Sequence, residues 1–163
     1  KYPQRVRGIF IMDIAPVNYD FDYIPVIENL LAIDLTNISS RKEADLALSK
    51  HYENQAFRQF LLQNLVLSNN QYHWRVNLTV IKQHISTIRE FPDRIFQGFS
   101  KPSYFLAGEQ SNYVTKDHLP QMQKLFPSHV LDTVPDAGHW LHAEKPKVVS
   151  KKIQEFLGTI PAN

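Results

Sequence analysis

The chain has 163 residues, 43% hydrophobic and 21% charged, with a formal net charge of +2. That is enough apolar chain to bury a core, which excludes a disordered segment, and the spread of basic residues does not indicate nucleic acid or an anionic membrane as partner. Cysteine is absent, so there is no disulfide framework and no thiolate nucleophile, which fits an intracellular protein.

The chain starts at Lys1 and enters a strongly apolar stretch within a few residues, as a piece of a longer protein would. Val6-Arg-Gly-Ile-Phe-Ile-Met-Asp13 is a near-continuous apolar run ending in an acid, the pattern of a strand buried on both faces of a parallel sheet. The apolar segment Ile24–Leu35 is interrupted by Pro25, Glu28, Asn29 and Asp34, and no stable membrane insertion is expected. Ser40-Arg-Lys-Glu43 has the spacing of a capping box opening a helix to about His51. Phe57, Phe60, Leu61 and Leu65 form one helical stripe, and Leu78, Ile81, Ile85 and Ile88 form another. Between them Ser68-Asn-Asn-Gln71 reads as a turn and Tyr72–Val76 as short and extended.

Ser103-Tyr-Phe-Leu-Ala107, closed by Gly108, and His129–Val134, closed by Pro135, are two further strands of the buried type. Thr115–Phe126 between them reads as a helix. Pro146–Leu157 is another, with Pro146 in its first turn and Gly158 where a C-terminal cap belongs. Strand, helix, strand, helix implies an α/β fold with right-handed crossovers. The expected core is residues 1–19 and 101–163, and the helical stretch 20–100 is an insertion placed as a cap or lid.

In open α/β sheets, function collects beyond the carboxyl ends of the strands. Asp13 stands at one such end, Gly108-Glu109-Gln110-Ser111 follows a second, and His139 follows the third. An acid and a histidine on neighbouring tips suit a proton relay in which the acid orients the imidazole. A hydrogen-bonded turn histidine and a strand-capping aspartate are the plainer readings of the same residues. His139 and His142 spell H-x-x-H, but they fall in a turn with no third ligand, so no metal is expected.

Met12-Asp-Ile-Ala-Pro-Val17, Arg58-Gln-Phe-Leu-Leu-Gln-Asn-Leu65, Trp74-Arg-Val-Asn-Leu78 and Ala137-Gly-His-Trp-Leu-His-Ala-Glu-Lys-Pro146 resemble the C-terminal half of an α/β-hydrolase. They are similar in particular to the branch holding the YbfF-type esterases and the mitochondrial α/β-hydrolase-domain-containing protein eleven. The resemblance implies the last three parallel strands of that fold with flanking helices and a helical lid. It implies a serine hydrolase of acyl esters or thioesters that needs no cofactor, in the mitochondrial matrix or the cytoplasm. It assigns His139 as general base and favours Asp13 as the acid, with Glu109 as the fallback. The position after the penultimate strand where many relatives carry the acid is Ser111 here, which cannot serve as one.

The family's G-x-S-x-G nucleophile turn is missing; the nearest match, Gly98-Phe-Ser-Lys-Pro102, ends in proline and precedes a strand rather than following one. The nucleophile is therefore expected upstream of Lys1, in the N-terminal half of the same hydrolase, and the 163 residues alone are expected to be inactive. Trp140, Phe57, Phe60, Leu61 and Trp74 are candidates to line an acyl pocket, with core packing as their plainer role. Two other functions fit the same residues: an acyltransferase on this scaffold, and a non-catalytic binding module derived from it.

Overall fold

Residues 2–92 and 97–160 are described by the computed structural model of the chain. The ends of the expected core, residues 1 and 161–163, and residues 93–96 of the expected lid lie outside them. The chain divides into two units, residues 1–18 with 91–163, and residues 19–90.

Strand β1 (Ile9–Met12) follows a 3-10 turn at Pro3–Arg5. It is shorter than the apolar run because the Val6 N–H closes back on the Pro3 carbonyl, and pairing begins only where Ile9 donates to Pro102.

The unit of residues 19–90 holds α1 (Ile24–Leu31), α2 (Arg41–Ser49), α3 (Gln55–Leu62), β2 (Leu65–Ser68), β3 (Gln71–Trp74), α4 (Leu78–Gln83) and α5 (Ile85–Arg89). Side-chain oxygens of Ser40, Asn54 and Asn77 cap α2, α3 and α4, each accepting the N–H three residues on. The capping box at Ser40 is shifted by one residue. Glu43 reaches past Ser40 to the N–H and hydroxyl of Ser39, at 2.8 and 2.7 Å.

The expected Phe57–Leu65 helical stripe breaks after Leu62, and Leu65 instead opens an antiparallel hairpin. Asn69 and Asn70 turn it at φ of 50° and 59°, the left-handed pair that a two-residue hairpin loop requires. The second stripe is interrupted at His84 between α4 and α5. Phe60 and Ile88 point outward, 48% and 60% exposed. The core of this unit is Ile27, Leu30, Ala44, Leu48, Leu61, Leu62, Leu65 and Leu78, with Phe57 and Trp74 packed against it.

Arg58 is also buried here. Its guanidinium meets both Asp45 oxygens, at 2.9 and 3.4 Å, and donates to the carbonyls of Tyr52 and Glu53 at 2.8 Å each. That full set of partners is what lets a charge sit in a core.

The other unit continues with β4 (Ser103–Gly108), a 3-10 turn at Lys116–His118, α6 (Leu119–Leu125), β5 (His129–Val134), α7 (Leu141–Glu144) and α8 (Pro146–Thr159). The single helix expected over Thr115–Phe126 is thus a 3-10 turn running into a shorter α-helix. Gly158 lies inside α8 rather than capping it, and the helix runs on to Thr159.

The sheet is parallel in the order β1-β4-β5, with Ile9 beside Ser103 and Ser103 beside His129. Only the central strand β4 is buried on both faces as expected. β1 is half-buried, and Val130 and Leu131 of β5 are exposed.

Side chains alternate across β4. Leu106 joins Val134, Ala137, Leu141 and Val149 on one face, and Phe105 meets Phe126 edge-on at 5.2 Å on the other. Each of these Leu, Val and Phe side chains contributes about 1.5–3 kcal/mol by leaving water. A polar cluster pins α8 to the sheet: Asp132 accepts from Tyr104 Oη at 2.6 Å and Lys152 Nζ at 2.7 Å. No helix among the described residues is long and apolar enough to cross a membrane.

Candidate functional site

Parallel register brings three strand exits to one end of the sheet. Asp13 extends the β1 ladder by one residue, donating its N–H to Leu106 at 2.8 Å. Its φ of 48° turns the chain abruptly, in the left-handed region that Asp tolerates better than most residues. The carboxyl group so placed is buried, with no exposed side-chain surface.

A buried carboxylate needs donors, and this one has three. Oδ1 accepts the Gly108 N–H at 2.9 Å. Oδ2 accepts the Ser111 hydroxyl in a short hydrogen bond and the His139 Nδ1–H at 2.8 Å. With a carboxylate as acceptor the proton belongs on Nδ1, so Nε2 presents a lone pair. Among the described residues Nδ1 makes the imidazole's hydrogen bond, and the side chain is 40% exposed.

The turn bearing His139 is held from both sides. The Glu109 N–H donates to the Val134 carbonyl at 3.0 Å, the Gln110 N–H to the Ala137 carbonyl at 2.9 Å, and the Asp136 N–H to the Glu109 carboxylate at 3.0 Å. Glu144 reaches back from α7 and accepts the Gly138 and Trp140 N–H groups at 2.7 and 3.3 Å, bracketing His139. Gly108 is the residue that permits this approach, since a Cβ there would stand 2.3 Å from the Gly138 carbonyl oxygen. The Tyr113 ring lies flat on the imidazole, with centroids 3.7 Å apart and planes 13° from parallel.

The structure therefore brings Asp13 and His139 into contact, while Glu109 engages the turn backbone. Trp140 is half-buried next to His139 in the chain. Phe57, Leu61 and Trp74 gather in and around the core of the other unit, with Phe60 on its surface. His142 is exposed. Sequence reasoning missed Ser111, Tyr113 and Glu144. Ser111 was weighed only as a failed acid, although a hydroxyl beside an acid site is a natural donor to it.

Chemically, the arrangement can take a proton at Nε2, hold the resulting imidazolium against a buried carboxylate, and give the proton back.

The sequence model of the α/β hydrolase fold family matches residues 1–146. The sn-1-specific diacylglycerol lipase ABHD11 of Danio rerio is 36% identical over 163 residues, covering 95% of this chain and 50% of the relative. Esterase YbfF of Escherichia coli is 27% identical over 157 residues, covering 94% of this chain and 58% of the relative. A solved structure of a marine microorganism esterase superposes with a TM-score of 0.90 at 34% identity, covering 95% of this chain and 62% of that one. The chain thus spans about half the length of these curated relatives.

Proposed function

Because the chain belongs to the α/β-hydrolase fold family, we propose that it is part of a serine hydrolase acting on carboxylic esters or thioesters. His139 is its general base and Asp13 the supporting acid. The observation that carries this is the 2.8 Å contact between a fully buried carboxylate and an imidazole that is 40% exposed. A purely structural histidine in a turn has no need of a ring that is 40% exposed with a three-donor carboxylate behind it. The names of the relatives, lipase and esterase, support the same reaction class.

The nucleophile is proposed to come from protein outside these 163 residues, since no serine here is bracketed as G-x-S-x-G. Its hydroxyl attacks the acyl carbonyl as Nε2 takes the proton. The imidazolium passes that proton to the departing alcohol or thiol. The neutral ring then draws one from water as the water oxygen attacks the acyl-enzyme, and returns it to the serine oxygen as the acid leaves. Asp13 holds the ring in the required tautomer throughout.

Among the aromatic candidates, Phe60 has the exposed surface that contact with an acyl chain requires, and Trp140 is half-buried beside His139 in the chain. Phe57, Leu61 and Trp74 fit better as packing that shapes their unit.

The test is hydrolysis of p-nitrophenyl esters by the full-length protein. His139→Ala is expected to lower turnover at least about a thousandfold, and the isolated 163 residues should show none. Undiminished turnover in the variant would overturn the assignment of His139, and histidine-dependent turnover by the 163 residues would overturn the placing of the nucleophile outside them. Alcohol added to the same assay decides between hydrolysis and acyl transfer, since a new ester product would mark a transferase. Absence of turnover on every acyl ester and thioester would mark a binding module.

A further inference from the structure

We propose that Tyr113 is a positioning residue that favours the protonated form of His139 by covering one face of its ring. The inference rests on the reading of His139 as general base and adds a partner to it.

Neutral aromatic pairs avoid full face-to-face overlap and settle into offset or edge-on arrangements, because their negative faces repel. The Tyr113 and His139 rings stack closely, at 3.7 Å between centroids and 13° between planes. A π face held this near the imidazole attracts it more strongly as a cation than as a neutral ring. The contact therefore strengthens when the imidazole gains its proton, and catalysis gains only from interactions that strengthen along the reaction.

The position of the ring is built rather than accidental. The Tyr113 N–H donates to Ser111 Oγ at 3.2 Å, and the same hydroxyl donates to Asp13 Oδ2. One serine thus ties the loop carrying the stacked ring to the carboxylate that holds the imidazole's Nδ1. His139 is bounded by Asp13 along one edge and Tyr113 over one face, which leaves its Nε2 edge for the reaction.

The experiment compares full-length wild type with Tyr113→Phe, Tyr113→Leu and Tyr113→Met. Loss of the ring in the Leu variant should lower kcat about 2- to 30-fold with KM little changed. Tyr113→Phe, which keeps the π face, should stay within about twofold of wild type. If the Leu variant does not fold, the Met variant carries the same comparison.

A second readout needs no substrate. In protein labelled at the histidine ring carbon between the two nitrogens, the His139 ring proton should be shifted upfield by Tyr113 in wild type and Phe, and should move downfield in Leu or Met. A rise in KM at constant kcat would make Tyr113 a substrate contact and overturn the proposal, as would an unmoved ring proton. Full turnover in His139→Ala would sink the general-base reading instead, so the two failures are distinct.

Discussion

Replacing Gly108 with alanine tests how closely the site depends on the approach of two loops. A Cβ at this position would lie 2.3 Å from the Gly138 carbonyl oxygen and 2.6 Å from that of Ala137, where ordinary contact begins at 3.4 Å. Both obstacles are backbone, so no side chain can rotate aside. The turn must withdraw by about 1 Å, and His139 follows the carbonyl that is displaced. A hydrogen bond of 2.8 Å to Asp13 cannot absorb that shift, because such bonds fade beyond about 3.2 Å.

Misplacement on this scale costs about 100-fold in rate. The added volume in a packed region costs about 1–3 kcal/mol of stability. The assay is ester turnover and thermal melting of full-length Gly108→Ala, with Gly158→Ala as control. Gly158 has nothing within 4 Å of an added Cβ and sits within a helix, where alanine stabilises by about 0.5–1 kcal/mol. If Gly108→Ala melts with wild type and keeps its rate within about threefold, or if both substitutions cause equal loss, the reasoning is wrong.

Asp13→Asn should remove about four orders of magnitude from kcat. With three donors around two oxygens, the amide N–H₂ meets either the Gly108 N–H or the His139 edge, and the latter forces the proton onto Nε2. Nitrogen shifts of His139 report that tautomer, and activity within tenfold of wild type would count against the reading. Lys152 and then Tyr104, donating to Asp132, hold its carboxyl below its ordinary 3.8. A group depressed on folding stabilises above its unfolded value, and the contribution is lost as pH falls through the folded one. The urea midpoint of wild type should thus exceed that of Asp132→Asn near neutrality, and the gap should close as pH drops below 3.8. A gap independent of pH would refute the link.

The apolar runs that became β4 and β5 were legible because a glycine or proline closes each where the strand ends. Continuous hydrophobicity identified all three strands, of which β4 is buried on both faces while β1 and β5 are partly exposed. Leu65 misled because its spacing from Phe57 and Leu61 fits a helix, while Asn69-Asn70 was the stronger signal for a hairpin. Gly158 misled because a glycine near a helix end has no cost large enough to stop it. At the site, Asp13 and His139 stood out by chemistry and by position at strand ends. Ser111, Tyr113 and Glu144 did not, because their roles depend on loop conformations that bring backbone N–H groups and ring faces into contact.

The donors around Asp13 bear on how the proposed reaction would meet its solvent cost. In water, charge appearing on a base obliges surrounding dipoles to reorient, and that work is part of the barrier. Here the Gly108 amide is fixed by the strand and Ser111 by its loop, so both point at the carboxylate before any proton moves. In the proposed reaction that reorganisation is met during folding, with the dipoles already aligned before the base takes a proton.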